Sequence, residues 1–134
     1  MFLIQLKEEN KELFLKVCIH ASMANGIFED EEKEMISAYC REMNIPVNMP
    51  EYGETLDETL SVLAEQADDV EKKIIILEIL GLVRADGVYD AAEKTFMKQL
   101  VEGLKIKEDI LSKYNSLLEI YTSVCKELRA AVCE

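Results

Sequence analysis

Glycine and proline are scarce in this chain, with five and two residues among 134. Because these two residues dominate tight turns, their scarcity argues against a fold of many short strands joined by turns. The rest of the sequence is rich in Leu, Glu, Lys, Ile and Ala, a composition that favours helices. We therefore predict an all-α fold. A chain of this length can form one domain, residues 1–134, which buries about two-thirds of its unfolded surface in a single core.

Residues that commonly carry catalysis are also few. The single histidine, His20, has no Ser or Cys that spacing assigns to it as a nucleophile. The four cysteines form no C-x-x-C pair, which argues against a zinc site of the usual kind. A Gly-rich phosphate-binding loop is also missing. Catalysis is therefore the least favoured class, and we predict that the protein is not an enzyme.

The charge is strongly one-sided, with 27 acidic against 15 basic residues and a formal net charge of −12. Such a chain is repelled by nucleic acid and by anionic lipid, whereas cations and basic proteins are compatible partners. The alternative is that the charge serves solubility alone. The first residues, Met1–Leu6, lack the basic flank and long apolar core of a signal peptide. We therefore expect a cytoplasmic protein with reduced thiols, no membrane insertion and no nucleic-acid partner.

The longest apolar run extends from Ile74 to Val83 and is interrupted by Glu78 and Gly81 alone. Three consecutive isoleucines would also suit a buried strand. The length of the run favours a helix, as does the capping-box spacing of Asp68 and Glu71 just before it. The run is too short, and Glu78 too central, for a transmembrane span. We predict a buried central helix.

Amphipathic helices are predicted on both sides of this central helix. They begin near Glu8, Glu29, Thr55, Asp90 and Glu108. The last one extends to about Val132, and its apolar face consists of Ile110, Leu111, Tyr114, Leu117, Leu118, Tyr121, Val124, Cys125 and Leu128. We expect this face to cover the core of the bundle. The alternative is that an exposed part of it seats a protein partner.

An internal repeat organises the chain. The segment Ala24–Lys33 matches Ala85–Lys94, with identical Ala, Gly, Glu and Lys and with conservative pairs between them. The register continues into the helices on either side, which gives pseudo-repeats of about 8–45 and 69–106. The predicted fold is therefore a helical bundle of two helix–Gly turn–helix pseudo-repeats, plus linking and closing helices. Gly26 and Gly87 are predicted to end the first helix of each copy in the left-handed conformation.

The acidic residues that follow each turn have two interpretations. Asp90 can start the next helix while Glu93, three residues later, bonds back to the cap, and the first copy offers the same spacing. Alternatively, Asp86, Asp90 and Glu93 bring several carboxylates to one helix–turn–helix corner, which suits a hard divalent cation such as Ca²⁺, Mg²⁺ or Mn²⁺. The first interpretation explains the pattern without any function.

The two turn motifs, together with the opening Met1–Leu3 and the segment Lys11–Leu15, resemble the TerB-like tellurite-resistance family. The resemblance covers essentially the entire chain. It implies an all-helical fold of two pseudo-repeats in a bacterial cytoplasmic protein. It also implies a non-enzymatic role in tellurite and related stress responses, in which the acidic turn residues are suspected of chelating metal.

Carried over by position, the metal-binding residues implied by this resemblance are Asp86, Asp90 and Glu93, with Glu29 and Glu32 in the first copy. Asn25 stands where the family motif favours Asp, so it offers a carbonyl oxygen with less charge. TerB-like domains are also attached to other domains in several bacterial proteins, including a membrane-anchored co-chaperone. By that analogy the chain could instead be an adaptor for an unidentified protein partner, with the acidic turns serving only as helix caps. The sequence leaves the metal and the oligomeric state open.

Overall fold

The computed structural model describes residues 1–24, 30–47, 54–84 and 89–133, except for the side chains of Glu31 and Glu32. Over these ranges the chain forms a short 3-10 helix, Leu3–Gln5, and then α1 (Glu8–Ser22), α2 (Asp30–Glu42), α3 (Leu56–Gln66), α4 (Asp69–Val83), α5 (Ala91–Gly103) and α6 (Asp109–Cys133). The described part of the chain contains no strand. The prediction of an all-α fold is confirmed.

The two copies of the repeat have helices of the same length. The bounds of α1 and α4 differ by 61 residues at both ends, as do those of α2 and α5. Both α2 and α5 end in the same way, with Asn44 at φ 58° and Lys105 at φ 61°. The next residues, Ile45 and Ile106, each donate a backbone hydrogen bond to a carbonyl five residues back, as in a Schellman motif.

The core is built around α4, as the apolar run predicts. Ile75, Ile76, Ile79 and Leu80 are fully buried in it. Helix α1 packs against both α3 and α4. Residues Ile74 to Val83 are buried or half-buried on every side, which explains why apolar residues occupy all sides of this part of α4 instead of one stripe.

Glu71 joins the two repeats at the start of α4. Its Oε1 accepts from the backbone N–H of Asp68 at 3.2 Å, and the Asp68 Oδ1 accepts from the Glu71 N–H at 2.8 Å, which completes the predicted capping box. Its Oε2 accepts from the Lys7 N–H at 3.0 Å and from the Asn10 side-chain amide at 2.8 Å. Lys7 is the N-cap residue of α1, so one buried carboxylate satisfies donors at the beginning of two helices.

Helix α6 departs from its prediction. Leu111 is buried, and Ile110, Tyr114 and Leu118 are half-buried against the core, but every residue from Glu119 to Cys133 is exposed. The expectation that the apolar face covers the bundle is therefore wrong for Leu117, Tyr121, Val124, Cys125 and Leu128. The physical reason is length: α6 has 25 residues and α4 has 15, so α6 is about 15 Å longer.

No helix in the described part of the chain is both long enough and apolar enough to cross a bilayer.

Candidate functional site

Two of the predicted metal ligands lie together at the corner before α5. Asp90 is the N-cap residue of α5, and its Oδ1 accepts from the Glu93 N–H at 2.8 Å. Glu93 is buried, and its Oε1 accepts from the Asp90 N–H at 3.0 Å. The two side chains thus form a reciprocal capping box, as the first interpretation of the sequence predicts. One oxygen of each carboxylate is engaged by the backbone.

The other candidate residues fall on parts of the chain that the structure does not describe. Asn25, Gly26, Glu29, Asp86 and Gly87 lie outside the described ranges. The same is true of the Glu32 side chain. Among the residues that are described, no group of three or more His, Cys, Asp or Glu side chains could hold a metal ion. The cation site and the left-handed turn glycines therefore remain predictions.

Tyr89 connects the corner before α5 to the core and to α6. It is partly buried against the core, and Lys94 places its Nζ 5.6 Å from the ring centroid, which is a cation–π distance. Burial raises the pKa of the Tyr89 hydroxyl, although its hydrogen bond with Asn115 and the nearby Arg84 charge act in the opposite direction. This aromatic residue thereby links the corner to α6.

Arg84 fixes α6 to the end of α4. Its Nη1 donates to the Asn115 side-chain oxygen at 2.7 Å and to the Asn115 carbonyl at 3.2 Å, and its Nη2 lies 3.8 Å from Glu119 Oε1. The three side chains and Tyr89 line a cleft of about 570 Å³. Sequence reasoning missed this contact. A signal was present, because Arg84 is charged where the first copy has Met23.

Of the grooves beside the first turns of α6, two are adjacent and share Lys73 and Tyr114. One, here called the basic groove, has a volume of about 540 Å³ and is lined by Lys73, Lys105, Lys107 and Lys113, among others. The other, here called the apolar groove, has a volume of about 300 Å³, and its lining includes Phe2, Val70, Ile74, Leu77 and Tyr114. The lining of the basic groove also includes Asp69 and Asp109, so its four lysines exceed its carboxylates by two and form a local positive area on a chain whose net charge is −12.

No family model and no curated protein matches the chain. Among solved structures, it is similar to a tellurite resistance protein from Nostoc punctiforme. The similarity covers 96% of this chain and 84% of that chain, with a TM-score of 0.72 and 19% sequence identity. At this identity the likeness is one of fold. The resemblance to the TerB-like tellurite-resistance family is thus confirmed at the level of the fold, and the chain folds as a tellurite resistance protein does.

Proposed function

We propose that this chain is a non-enzymatic cytoplasmic protein of a bacterial tellurite or related stress response, and that it acts by binding a protein partner on α6. The observation that carries this proposal is the exposed apolar surface of α6. The residues Leu117, Ile120, Tyr121, Val124 and Leu128, here called the α6 stripe, are between 45% and 61% exposed.

Exposure of the α6 stripe to water is unfavourable for a protein that has no partner to cover it. Isolated helices of about 12–15 residues are marginal in water, and most helix stability in proteins comes from packing an apolar face. The segment Glu119–Cys133, here called distal α6, is a helix of this length in which every residue is exposed. A partner that covers the α6 stripe would gain about 25 cal/mol for each Å² of apolar surface removed from water.

The stress-response part of the proposal is supported by the fold. The similar solved structure is that of a tellurite resistance protein, and the shared fold extends over nearly the whole chain. A role in binding requires no catalytic group. It uses the surface that the fold leaves uncovered.

Tellurite tolerance of a bacterial host that expresses the protein tests this function. We compare Val124→Asp with Val62→Asp, because the two valines are 45% and 41% exposed and lie on different helices, α6 and α3. Wild type and Val62→Asp are expected to protect the host, and Val124→Asp is expected to lose protection. Equal protection by both variants would contradict a role for α6, and no protection by wild type would contradict the stress-response role.

A second candidate function is the binding of a divalent cation at the corner before α5. It is supported by the placement of Asp90 and Glu93 at one corner, with Asp86 nearby in sequence. Carboxylate oxygens are the ligands that Ca²⁺, Mg²⁺ and Mn²⁺ prefer. The ligand set under this candidate is Asp86, Asp90 and Glu93, with Asn25, Glu29 and Glu32 in the first copy.

Calorimetric titration of chelator-treated protein with each cation tests this candidate. The variant Asp86→Asn/Glu93→Gln is compared with Asp57→Asn/Glu58→Gln, which removes the same charges from the first turn of α3. Saturable binding that is lost in the first variant and kept in the second supports the site. Absence of binding to wild type, or equal binding by both variants, leaves the carboxylates as helix caps.

A further inference from the structure

We propose that the partner of α6 is α6 of a second copy of this chain, paired in the antiparallel direction. This inference rests on the proposed function and names the occupant of the same surface. It is carried by the spacing of apolar residues along α6, the distribution of charge along the chain and the grooves beside the first turns of α6.

The spacing is that of a helix that pairs with another helix. Residues on one side of α6 alternate between intervals of four and three, in the order Ile110, Tyr114, Leu117, Tyr121, Val124 and Leu128. Ile110 and Tyr114 pack partly against the core of their own chain, whereas the four later residues are exposed. The 3.5-residue period keeps this exposed part of the seam facing a partner helix in a left-handed pair. Ile120 lies on the edge of this seam and is 60% exposed.

The charge distribution selects α6 as the place where two copies can approach. Residues 109–133 contain three acidic and three basic side chains, so their formal charge is zero, and the whole net charge of −12 belongs to the remainder of the chain. Two copies repel each other through their acidic surfaces. Contact along α6 avoids most of that repulsion.

The antiparallel direction follows from two charged residues. Lys113 and Glu127 occupy the same edge of the seam, each seven residues from Ile120. In an antiparallel pair centred near Ile120, each Lys113 lies against Glu127 of the second copy, and the two Ile120 side chains meet. A parallel pair provides neither contact, and it places both acidic bodies at the same end. Opposite charges at these edge positions set the orientation of paired helices.

The grooves complete the fit. Antiparallel pairing lays distal α6 of one copy along the first turns of α6 in the other, where the apolar and basic grooves lie. Leu128 then approaches the apolar groove, near Tyr114, and Glu127 approaches the lysines of the basic groove. The exposed surface of one copy and the grooves of the other are thus complementary in both polarity and charge.

Sedimentation equilibrium of the full chain, from micromolar to submillimolar concentration, tests the pairing. Wild type and Val62→Asp are expected to form dimers, and Val124→Asp is expected to weaken the dimer by about 30-fold or more, because it places a charge in the seam. Circular dichroism checks that both variants remain helical. A wild type that stays monomeric, or an equal loss in both variants, overturns the proposal.

Charge exchange tests the direction. At low salt, Lys113→Glu and Glu127→Lys are each expected to weaken the dimer by about fivefold, and the double variant Lys113→Glu/Glu127→Lys is expected to restore it. Two weakening effects that add in the double variant overturn the antiparallel arrangement.

Disulfide trapping gives an independent reading of direction. The exposed native thiols are first removed by Cys125→Ser/Cys133→Ser, while Cys18 and Cys40 are buried and remain. Ile120→Cys in this background is expected to cross-link to itself, and Leu128→Cys is not. The reverse result indicates a parallel pair and overturns the proposal.

The failure of this inference is distinguishable from the failure of the proposed function. A monomeric chain whose protection against tellurite is still lost in Val124→Asp refutes the second copy and retains a role for α6 toward another protein. A dimeric chain whose Val124→Asp variant protects fully refutes the proposed function and retains the pairing.

Discussion

Helices α4 and α6 are both rich in apolar residues, yet α4 is largely buried and α6 is largely exposed. Nine of the 15 residues of α4 are buried, whereas Leu111 is the one buried residue among the 25 of α6. Helices α1 and α5, the 3-10 helix and part of α6 pack against α4. The difference shows that an apolar pattern in the sequence identifies one face of a helix. It does not identify whether other elements of the chain bury that face.

The largest expected difference between the two helices comes from truncating one apolar side chain in each. Ile79→Ala in α4 should lower the free energy of unfolding by about 2–5 kcal/mol, because Ile79 is fully buried and leaves a cavity. Leu128→Ala in α6 should change it by less than about 0.5 kcal/mol at concentrations where the protein is monomeric, because Leu128 is 61% exposed. Urea unfolding measures both. Equal losses would show that α6 belongs to the core.

A carboxylate in each helix offers the next comparison. Glu71→Ala in α4 should cost about 2–4 kcal/mol, because the N–H groups of Lys7 and Asp68 and the Asn10 amide lose their acceptor. Glu119→Ala in α6 removes an exposed ion pair with Arg84 at 3.8 Å and should cost less than about 0.5 kcal/mol. Thermal unfolding of the two variants, monitored by circular dichroism, distinguishes them. A small effect of Glu71→Ala would show that water replaces the lost acceptor.

The same carboxylate makes stability depend on pH. Burial favours the neutral form of Glu71, but the hydrogen bonds from Lys7, Asn10 and Asp68 outweigh it, so the pKa of this carboxyl lies below its ordinary value of 4.5. Since the pKa is lower in the folded state, the stabilisation is complete above the unfolded pKa and is lost as pH falls through the folded pKa. Urea titrations from neutral to acid pH should therefore show a steeper loss for wild type than for Glu71→Gln. Parallel curves would argue against this assignment.

A smaller effect is expected where α5 packs against α3. A Cβ atom at Gly103 would lie 2.6 Å from Leu60 Cδ1 and 3.0 Å from Leu60 Cβ. Because Leu60 is itself buried, it has little room to move, and Gly103→Ala should destabilise the protein by about 1–2 kcal/mol. Chemical unfolding provides the measurement. A neutral result would mean that α3 and α5 separate easily.

The smallest effect, of opposite sign, is expected at the glycine of α4. A Cβ atom at Gly81 would meet nothing within 4 Å, so Gly81→Ala should stabilise the helix by about 0.5–1 kcal/mol. Gly81 lines the cleft between α4 and α6. A rise in the unfolding midpoint confirms that α6 leaves this side of α4 open, and a fall would indicate closer contact in solution.

Local signals in the sequence were sufficient for most of the fold. The capping-box spacings at Asp68 and at Asp90 place the starts of α4 and α5, and the apolar run after Asp68 predicts a buried helix. These features depend on residues within one or two turns of each other. The repeat adds the correspondence between the two halves, since matching turns imply matching helices.

Features that join distant residues were not predictable in this way. The sequence predicts that Glu71 helps to cap the start of α4. The hydrogen bonds that Glu71 accepts from Lys7 and Asn10 were not predictable, because they join residues more than 60 positions apart. The contact of Arg84 with Asn115 likewise depends on where α6 crosses α4. The apolar face of α6 could be predicted from its periodicity, but its exposure could not. Periodicity identifies which residues share a face, and it carries no information about the length of the elements that pack against them.

The carboxylate shared by α1 and α4 makes the first half of the chain depend on the second. The first copy has Lys7 and Asn10 where the second has Asp68 and Glu71, and the Lys7 side chain does not cap α1. Instead, the Glu71 carboxylate of α4 accepts from the Lys7 N–H and from the Asn10 amide. The two halves are therefore unequal. The second caps its own first helix, whereas the first, separated from the second, would begin with an uncapped helix.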